Sequence, residues 1–433
     1  MTQNTLKKSI TTIEAVAIVV GTIIGAGIFL KPSIVLGNAG SPAMSLLAWV
    51  TGGIITLASA LTIAEIASAI PKTGGLYVYL EDLYGEVWGF LLGWVQTVIS
   101  YPASAAALAI AFATYTTFFI PMNAMQQKFL SVGILIFVVL MNIIATKCGG
   151  IIQTVATFGK LLPILAIILF GLLNGQTHEF TSIAVVSQGA GFGAAILGTL
   201  WAYDGWIGVT NIAGELKNPA KQMPRAIILG VIFIIFVYVL INVALLNVLP
   251  AESIVASSTP ASDAAVALFG TGGASFITAG IIISVFGSMN GYILTGARIP
   301  LSMGERKQLP CSAQLSSLHK IFGTPANSLI LGGIISVIYI FTGTFNTLTD
   351  LLVFVLWIFF VMGVFGIFIL RKKVPAEQRK YKVPLYPITP IIGIIGGVFI
   401  LYSTIVSAPI NSIVGIGITL VGLPVYYYLK KKN

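Results

Sequence analysis

Runs of about twenty consecutive apolar residues recur along the whole sequence, and a helix of that length crosses the ~30 Å hydrocarbon core of a bilayer. They cannot all be hidden in one soluble core. Of 433 residues, 57% are hydrophobic and 8% charged, whereas an ordinary soluble domain has roughly a quarter of its residues charged and turns most polar positions to water. The chain therefore reads as an all-α polytopic membrane protein. A soluble enzyme, a nucleic-acid binder and a disordered tail are excluded as classes. The first nine residues are polar and the apolar stretch after them is too long for a signal h-region, so no cleavable signal peptide is expected. Two cysteines, Cys148 and Cys311, cannot form a disulfide framework.

A hydrophobicity window of roughly 19 residues predicts twelve transmembrane helices. They lie near 12–36, 43–70, 87–119, 129–146, 153–173, 190–214, 225–249, 264–297, 327–343, 347–370, 386–406 and 409–429. Twelve crossings bring both termini to one side. On that side fall 20 of the 23 Lys and Arg residues; the other side holds Lys31 and Lys128, and Lys160 lies inside a span. The positive-inside rule then places both termini in the cytoplasm of a multi-pass protein of the cell membrane. The net charge of +10 becomes an orientation signal and a contact for the anionic leaflet, so no nucleic-acid partner is expected. Both cysteines lie on or near the reducing face, where free thiols persist.

Two spans are interrupted. The first contains Gly21-Thr22-Ile23-Ile24-Gly25-Ala26-Gly27-Ile28-Phe29, and each glycine weakens a helix by roughly 1 kcal/mol relative to alanine. Gly21 and Gly25 also form one GxxxG, which on its own reads equally as a helix-packing face. The sixth span carries Gly198-Thr199-Leu200-Trp201-Ala202-Tyr203-Asp204-Gly205-Trp206-Ile207-Gly208, with a carboxylate at a depth where an isolated charge is costly. Both segments begin Gly-Thr, 177 residues apart, and each opens a block of five spans. Interrupted segments at matching positions of two halves point to a transporter built on inverted repeats. Residues 1–175 form the first five-helix repeat, 190–370 the second and inverted one, and 371–433 two further helices with a cytoplasmic C-terminus.

A broken helix bares N–H groups at the start of one half and carbonyls at the end of the other. A zwitterion with adjacent carboxylate and ammonium suits that arrangement. The carboxylate is expected on the amides of Gly25, Ala26 and Gly27, and the ammonium on carbonyls near Ile23 and Trp201. Ala202 lies beside Trp201, and Asp204 is read as a gate or a backbone-capping residue.

At these residues the chain resembles the amino acid–polyamine–organocation superfamily, and within it the L-amino acid transporter family. It is most similar there to the bacterial alanine–serine–cysteine and serine/threonine exchangers. The matching segments are 21–29, Pro-Lys-Thr-Gly-Gly-Leu-Tyr-Val-Tyr (71–79), Trp-Ala-Tyr-Asp-Gly-Trp (201–206), Glu-Leu-Lys-Asn-Pro (215–219) and Gly-Ser-Met-Asn-Gly (287–291). The resemblance implies a five-plus-five inverted fold with broken helices 1 and 6, and sodium-independent, often obligatory exchange of small neutral L-amino acids by alternating access. It puts an aromatic gate at Trp201 with Tyr203 behind it. Eukaryotic members bond a glycoprotein partner through a cysteine in the outer loop between the third and fourth spans. Here that loop, Ile120 to Lys128, has none, so no disulfide-linked heavy subunit is expected.

Lys160 lies about two helical turns into the fifth span. It reads either as a lysine snorkelling to the headgroups or as a tethered cation. In the second reading its ammonium would take carbonyls near Gly21 and a hydroxyl of the eighth span, Ser284 first and Ser288 second. A sodium ion holds that place in sodium-driven relatives of the fold, and a fixed ammonium would repel it. Proton loading of Lys160, and hence proton-coupled symport, is the alternative to exchange.

The other polar groups read as ordinary. Glu14 is expected at headgroup level and Glu65 beside a cytoplasmic base or gate; Asn290 is left between capping and gating. Tyr77 and Tyr79 lie in the first cytoplasmic loop, which resembles the family's re-entrant scaffold contacting the first helix, and the Arg371–Lys382 cluster is read as a solvated or lipid-facing loop. No span contains histidine, and His178 and His319 are the only two, so neither a metal site, a cofactor nor an intramembrane enzyme is expected. An ion channel would call for pore-lining rings, which the duplicated broken helices fit less well than alternating access.

Overall fold

Among the described residues the long apolar runs form helices, the one from Gly191 giving way to turns after Ala202. The computed structural model describes residues 11–70, 75–144, 146–177, 191–207 and 217–432, and among them there is no β-strand. Several residues named above lie outside that set: Pro71 to Gly74, His178, Gly208, Glu215 and Leu216, together with the side chain of Cys148. In chain order come α1 (Thr12–Ile23), α2 (Gly27–Ala39), α3 (Pro42–Ala69), the short α4 (Leu76–Tyr84), α5 (Glu86–Thr116), α6 (Ala124–Ile144) and α7 (Thr146–Asn174). They are followed by α8 (Gly191–Ala202), α9 (Pro219–Val248), α10 (Pro260–Gly296), α11 (Ala326–Thr342), α12 (Phe345–Lys373), α13 (Ile388–Ser407) and α14 (Pro409–Lys432). Eight of these helices are long and apolar enough to cross a bilayer, and α1 with α2 make a further crossing bent by 54°. This is a multi-pass membrane protein.

Local chemistry sets the helix ends and kinks. Thr11 caps α1 through a capping box: its hydroxyl accepts from the Glu14 N–H while Glu14 accepts from the Thr11 N–H at 2.7 Å, which satisfies donors the first turn leaves orphaned. Glu14 thus has a structural role at an exposed helix start. In α5 a π-turn over Gln96–Ser100 precedes Pro102, which has no N–H to give the helix ladder. The Val98 carbonyl four residues back accepts instead from the Tyr339 hydroxyl of α11, at 2.8 Å.

Burial separates centre from rim. About seven tenths of the α5 window and two thirds of the α3 and α12 windows are buried, against 28% for α6 and α14, so α3, α5 and α12 form the middle of the bundle. Fully buried Asn142 of α6 donates to Asn290 of α10 at 2.8 Å, which makes Asn290 a tie between two helices.

Two charged clusters pin opposite ends of the bundle. Glu65, near the end of α3, is fully buried and accepts from Arg371 (2.8 and 3.1 Å), Arg379 (2.7 Å) and the Val383 N–H (2.6 Å). The Arg371–Lys382 segment is therefore not simply solvated: two of its guanidinium groups turn inward, because a buried carboxylate needs opposite charge. At the other end stands Lys31. It lies inside α2, fully buried, with its ammonium against the first turns of α12.

Candidate functional site

The gap between α1 and α2 arises where Ile24 adopts φ −66°, ψ 101°, outside helical geometry. Helical bonding resumes only with Phe29 and Leu30 donating to the Ala26 carbonyl. Among the described residues the amides of Gly25, Ala26 and Gly27 have no backbone partner, and they sit at the positive end of α2. On the other side of the gap the carbonyls are engaged. Lys160 Nζ of α7, on a side chain 3% exposed, donates to Gly21 O at 2.6 Å and to Ile24 O at 2.7 Å.

α8 stops at Ala202, and residues 203–207 are turns. The two gaps meet reciprocally through their glycines. A Cβ on Gly27 would stand 2.8 Å from Ala202 Cα, and one on Gly205, whose φ is +108°, would stand 2.7 Å from Thr22 O. Only glycine lets backbones come that close or adopts that φ without strain. Gly27, just after the first gap, thus touches Ala202 at the end of α8, and Gly205, in the turns that follow α8, touches Thr22 in the last turn of α1.

Three tyrosines hold this arrangement. The Tyr238 hydroxyl of α9 lies 2.8 Å from Ala202 O and 3.3 Å from Ile23 O, so it spans both gaps. Tyr203 donates to Trp49 O of α3 at 2.9 Å, and its ring lies 5.0 Å from that of Tyr238. Asp204 accepts from the Tyr292 hydroxyl of α10 at 3.1 Å. Trp201 covers the Gly27 side, its ring edge-on to Phe345 with centroids 5.1 Å apart.

The structure thus brings together Gly21, Ile23, Gly25, Ala26, Gly27, Lys160, Trp201, Ala202, Tyr203 and Asp204. One expected partner differs. Ser284 Oγ is buried without a hydrogen bond, so Lys160 reaches carbonyls of α1 and no hydroxyl of α10. The Trp201 carbonyl accepts from the Asp204 N–H at 3.1 Å, because the chain tightens into a turn there. Ser288 donates to Ser284 O at 3.0 Å, and its Oγ would lie 3.4 Å from a Cβ on Gly25, which puts it opposite the first gap. Gly21 faces open space and is no packing face for a GxxxG pair. Tyr238, Tyr292, Phe345 and Lys31 were not singled out from the sequence. A tyrosine within an apolar span such as Tyr238 is a usable signal, since a buried hydroxyl seeks a partner.

Outside the spans, α4 docks on the segment after α10. Tyr77 donates to Gln308 at 2.5 Å and accepts from Arg306 at 3.2 Å, and burial raises its hydroxyl pKa, which keeps it a donor. Among the described residues no cluster of His, Cys, Asp or Glu could hold a metal ion.

A multi-pass helical bundle with free backbone amides at a helix gap, facing the end of a second interrupted span, has the character of a membrane transporter. Comparison with known proteins identifies its kind: the family model described as amino acid permease matches residues 10–427. The chain is 45% identical to the serine/threonine exchanger SteT of Bacillus subtilis, over 99% of this chain and 98% of that one. It is 33% identical to the human cystine/glutamate transporter, covering 98% and 85% respectively. To the large neutral amino acids transporter small subunit 2 of Mus musculus it is 31% identical, over 98% and 81%. The chain belongs to the amino acid permease family, within the amino acid–polyamine–organocation superfamily, and is a transporter rather than an enzyme.

Proposed function

We propose that this protein is a sodium-independent exchanger of small neutral L-amino acids such as alanine, serine, cysteine or threonine, working by alternating access. The observation that carries the reading is the reciprocal contact of the two gaps, Gly27 on Ala202 and Gly205 on Thr22. Such pairing is what a two-fold axis in the membrane plane produces, and it supports inverted halves at 1–175 and 190–370 followed by two helices in 371–433. Eight long helices, the bent pair and three shorter apolar helices support twelve crossings. The basic residues gathered at the end of Glu65 support cytoplasmic termini in the cell membrane.

The substrate carboxylate binds the amides of Gly25, Ala26 and Gly27, where helix-end donors and dipole favour an anion. The ammonium takes Ile23 O, while Tyr238 turns its single proton to Ala202 O. Trp201 closes over the pair. Ser288, opposite Gly25, narrows the side-chain space and favours small substrates, in keeping with the serine/threonine exchange named for the B. subtilis relative. Lys160 holds the carbonyls of Gly21 and Ile24 with its ammonium, which disfavours a sodium ion there by like-charge repulsion. With no cysteine between Ile120 and Lys128, the chain works without a disulfide-linked heavy subunit.

The test is uptake of labelled alanine into proteoliposomes holding the purified chain alone. Uptake should require internal amino acid and ignore sodium and the pH gradient. Uptake into empty liposomes driven by a proton gradient would replace exchange with symport.

A further inference from the structure

Lys31 is a fully buried lysine in the half-helix that leads away from the substrate gap. A buried ammonium is tolerated only when paired and hydrogen-bonded. All of its polar contacts are on the start of α12: Thr349 Oγ1 at 2.7 Å, Asn346 Oδ1 at 3.2 Å and Asp350 Oδ1 at 3.2 Å. The same ammonium stands 5.9 Å from the Trp201 ring and 5.3 Å from the Phe345 ring, within cation–π range. Lys31 is therefore where α2, α8 and α12 converge, on the side of the gap that Trp201 covers. Asp350 is partly exposed, its side chain 30% accessible, so the pair lies at the mouth of this route.

We propose that Lys31 is the positioning residue that holds this mouth shut, an ionic pin joining α2 to α12 above Trp201 that must part each time the site opens toward Asp350. The inference rests on the helix gaps being the substrate site. Parting α2 from α12 strips the ammonium of three partners at once, which is affordable only when water enters the widened mouth. The closed arrangement is dry and paired, and the open one wet and separated. Removing either charge lowers the cost of opening and tilts the carrier toward the Asp350 side.

The test places a reporter thiol at the gap, Ser288→Cys, in a chain with Cys148 and Cys311 replaced by serine. A membrane-impermeant maleimide is applied to sealed vesicles of each orientation, so that one face is reached at a time. Lys31→Met and Asp350→Asn should each raise labelling from the Asp350 face at least fivefold. The double variant should label no faster than Lys31→Met, because both changes break one contact. Asp350→Asn, a mild change at a partly exposed carboxylate, keeps the test alive should Lys31→Met fail to fold. Labelling rates equal to the reporter's, or effects that multiply in the double variant, overturn the pin. Alanine should protect the reporter thiol in the otherwise unchanged chain. If it does not, the reading of the gaps as the substrate site falls, and the pin with it; if protection holds while rates stay equal, the pin falls alone.

Discussion

Tyr238 has one hydroxyl proton and two carbonyl neighbours, Ala202 O and Ile23 O. Tyr238→Phe leaves a buried acceptor unpaired, at about 1–2 kcal/mol. That is roughly 5–30-fold in the population of correctly assembled sites, and initial exchange rates in proteoliposomes should fall by that order while ring packing and expression are kept. Lys160→Ala removes the donor shared by Gly21 O and Ile24 O. Exchange should drop at least tenfold with little loss of protein in the membrane, and a variant transporting at the parental rate would refute the tether. At this scale the sequence was informative where chemistry was local. Three glycines within seven residues mark a gap whatever packs around it. Lys31 was opaque because its partners lie 315 to 319 positions further on; a lysine near the end of an apolar run looks the same whether it snorkels to water or pairs inside.

Among the elements, α3 shows how one carboxylate can organise a distant loop. Glu65 gathers Arg371, Arg379 and the Val383 N–H, fixing the stretch between α12 and α13 on the end of α3. Glu65→Ala leaves two guanidinium groups facing an empty pocket, and removing one partner of a buried ion network costs about 3–5 kcal/mol. Thermal unfolding of the detergent-solubilised protein should move down by several degrees, and more than for Lys372→Ala at an exposed position of the same segment. The helices themselves were legible, because each rests on a hydrophobic run that no tertiary contact overrides. Their internal defects were less so. Pro102 announces a lost hydrogen bond in α5, but that Tyr339 of α11 takes up the orphaned Val98 carbonyl depends on a contact no local pattern encodes.

For the whole molecule the decisive property is that two interrupted spans far apart in the chain touch through Gly27 and Gly205. If the halves are inverted and the termini share the cytoplasmic face, protease sites added at both ends should be cut in inside-out vesicles and spared in right-side-out ones. Cleavage of one end from each side would break the topology. If Lys160 does the work of a bound cation, replacing sodium by choline should leave the exchange rate within twofold. The sequence could match the two gaps to each other by position, but not which atoms would face which; that depends on how α9 and α10 close around them. The contact of Gly27 with Ala202 carries an evolutionary corollary. One added methyl at position 27 has nowhere to go, so a lineage selected to carry bulkier cargo must find its extra volume by trimming the opposite wall, around Ser288, and leave the glycine untouched.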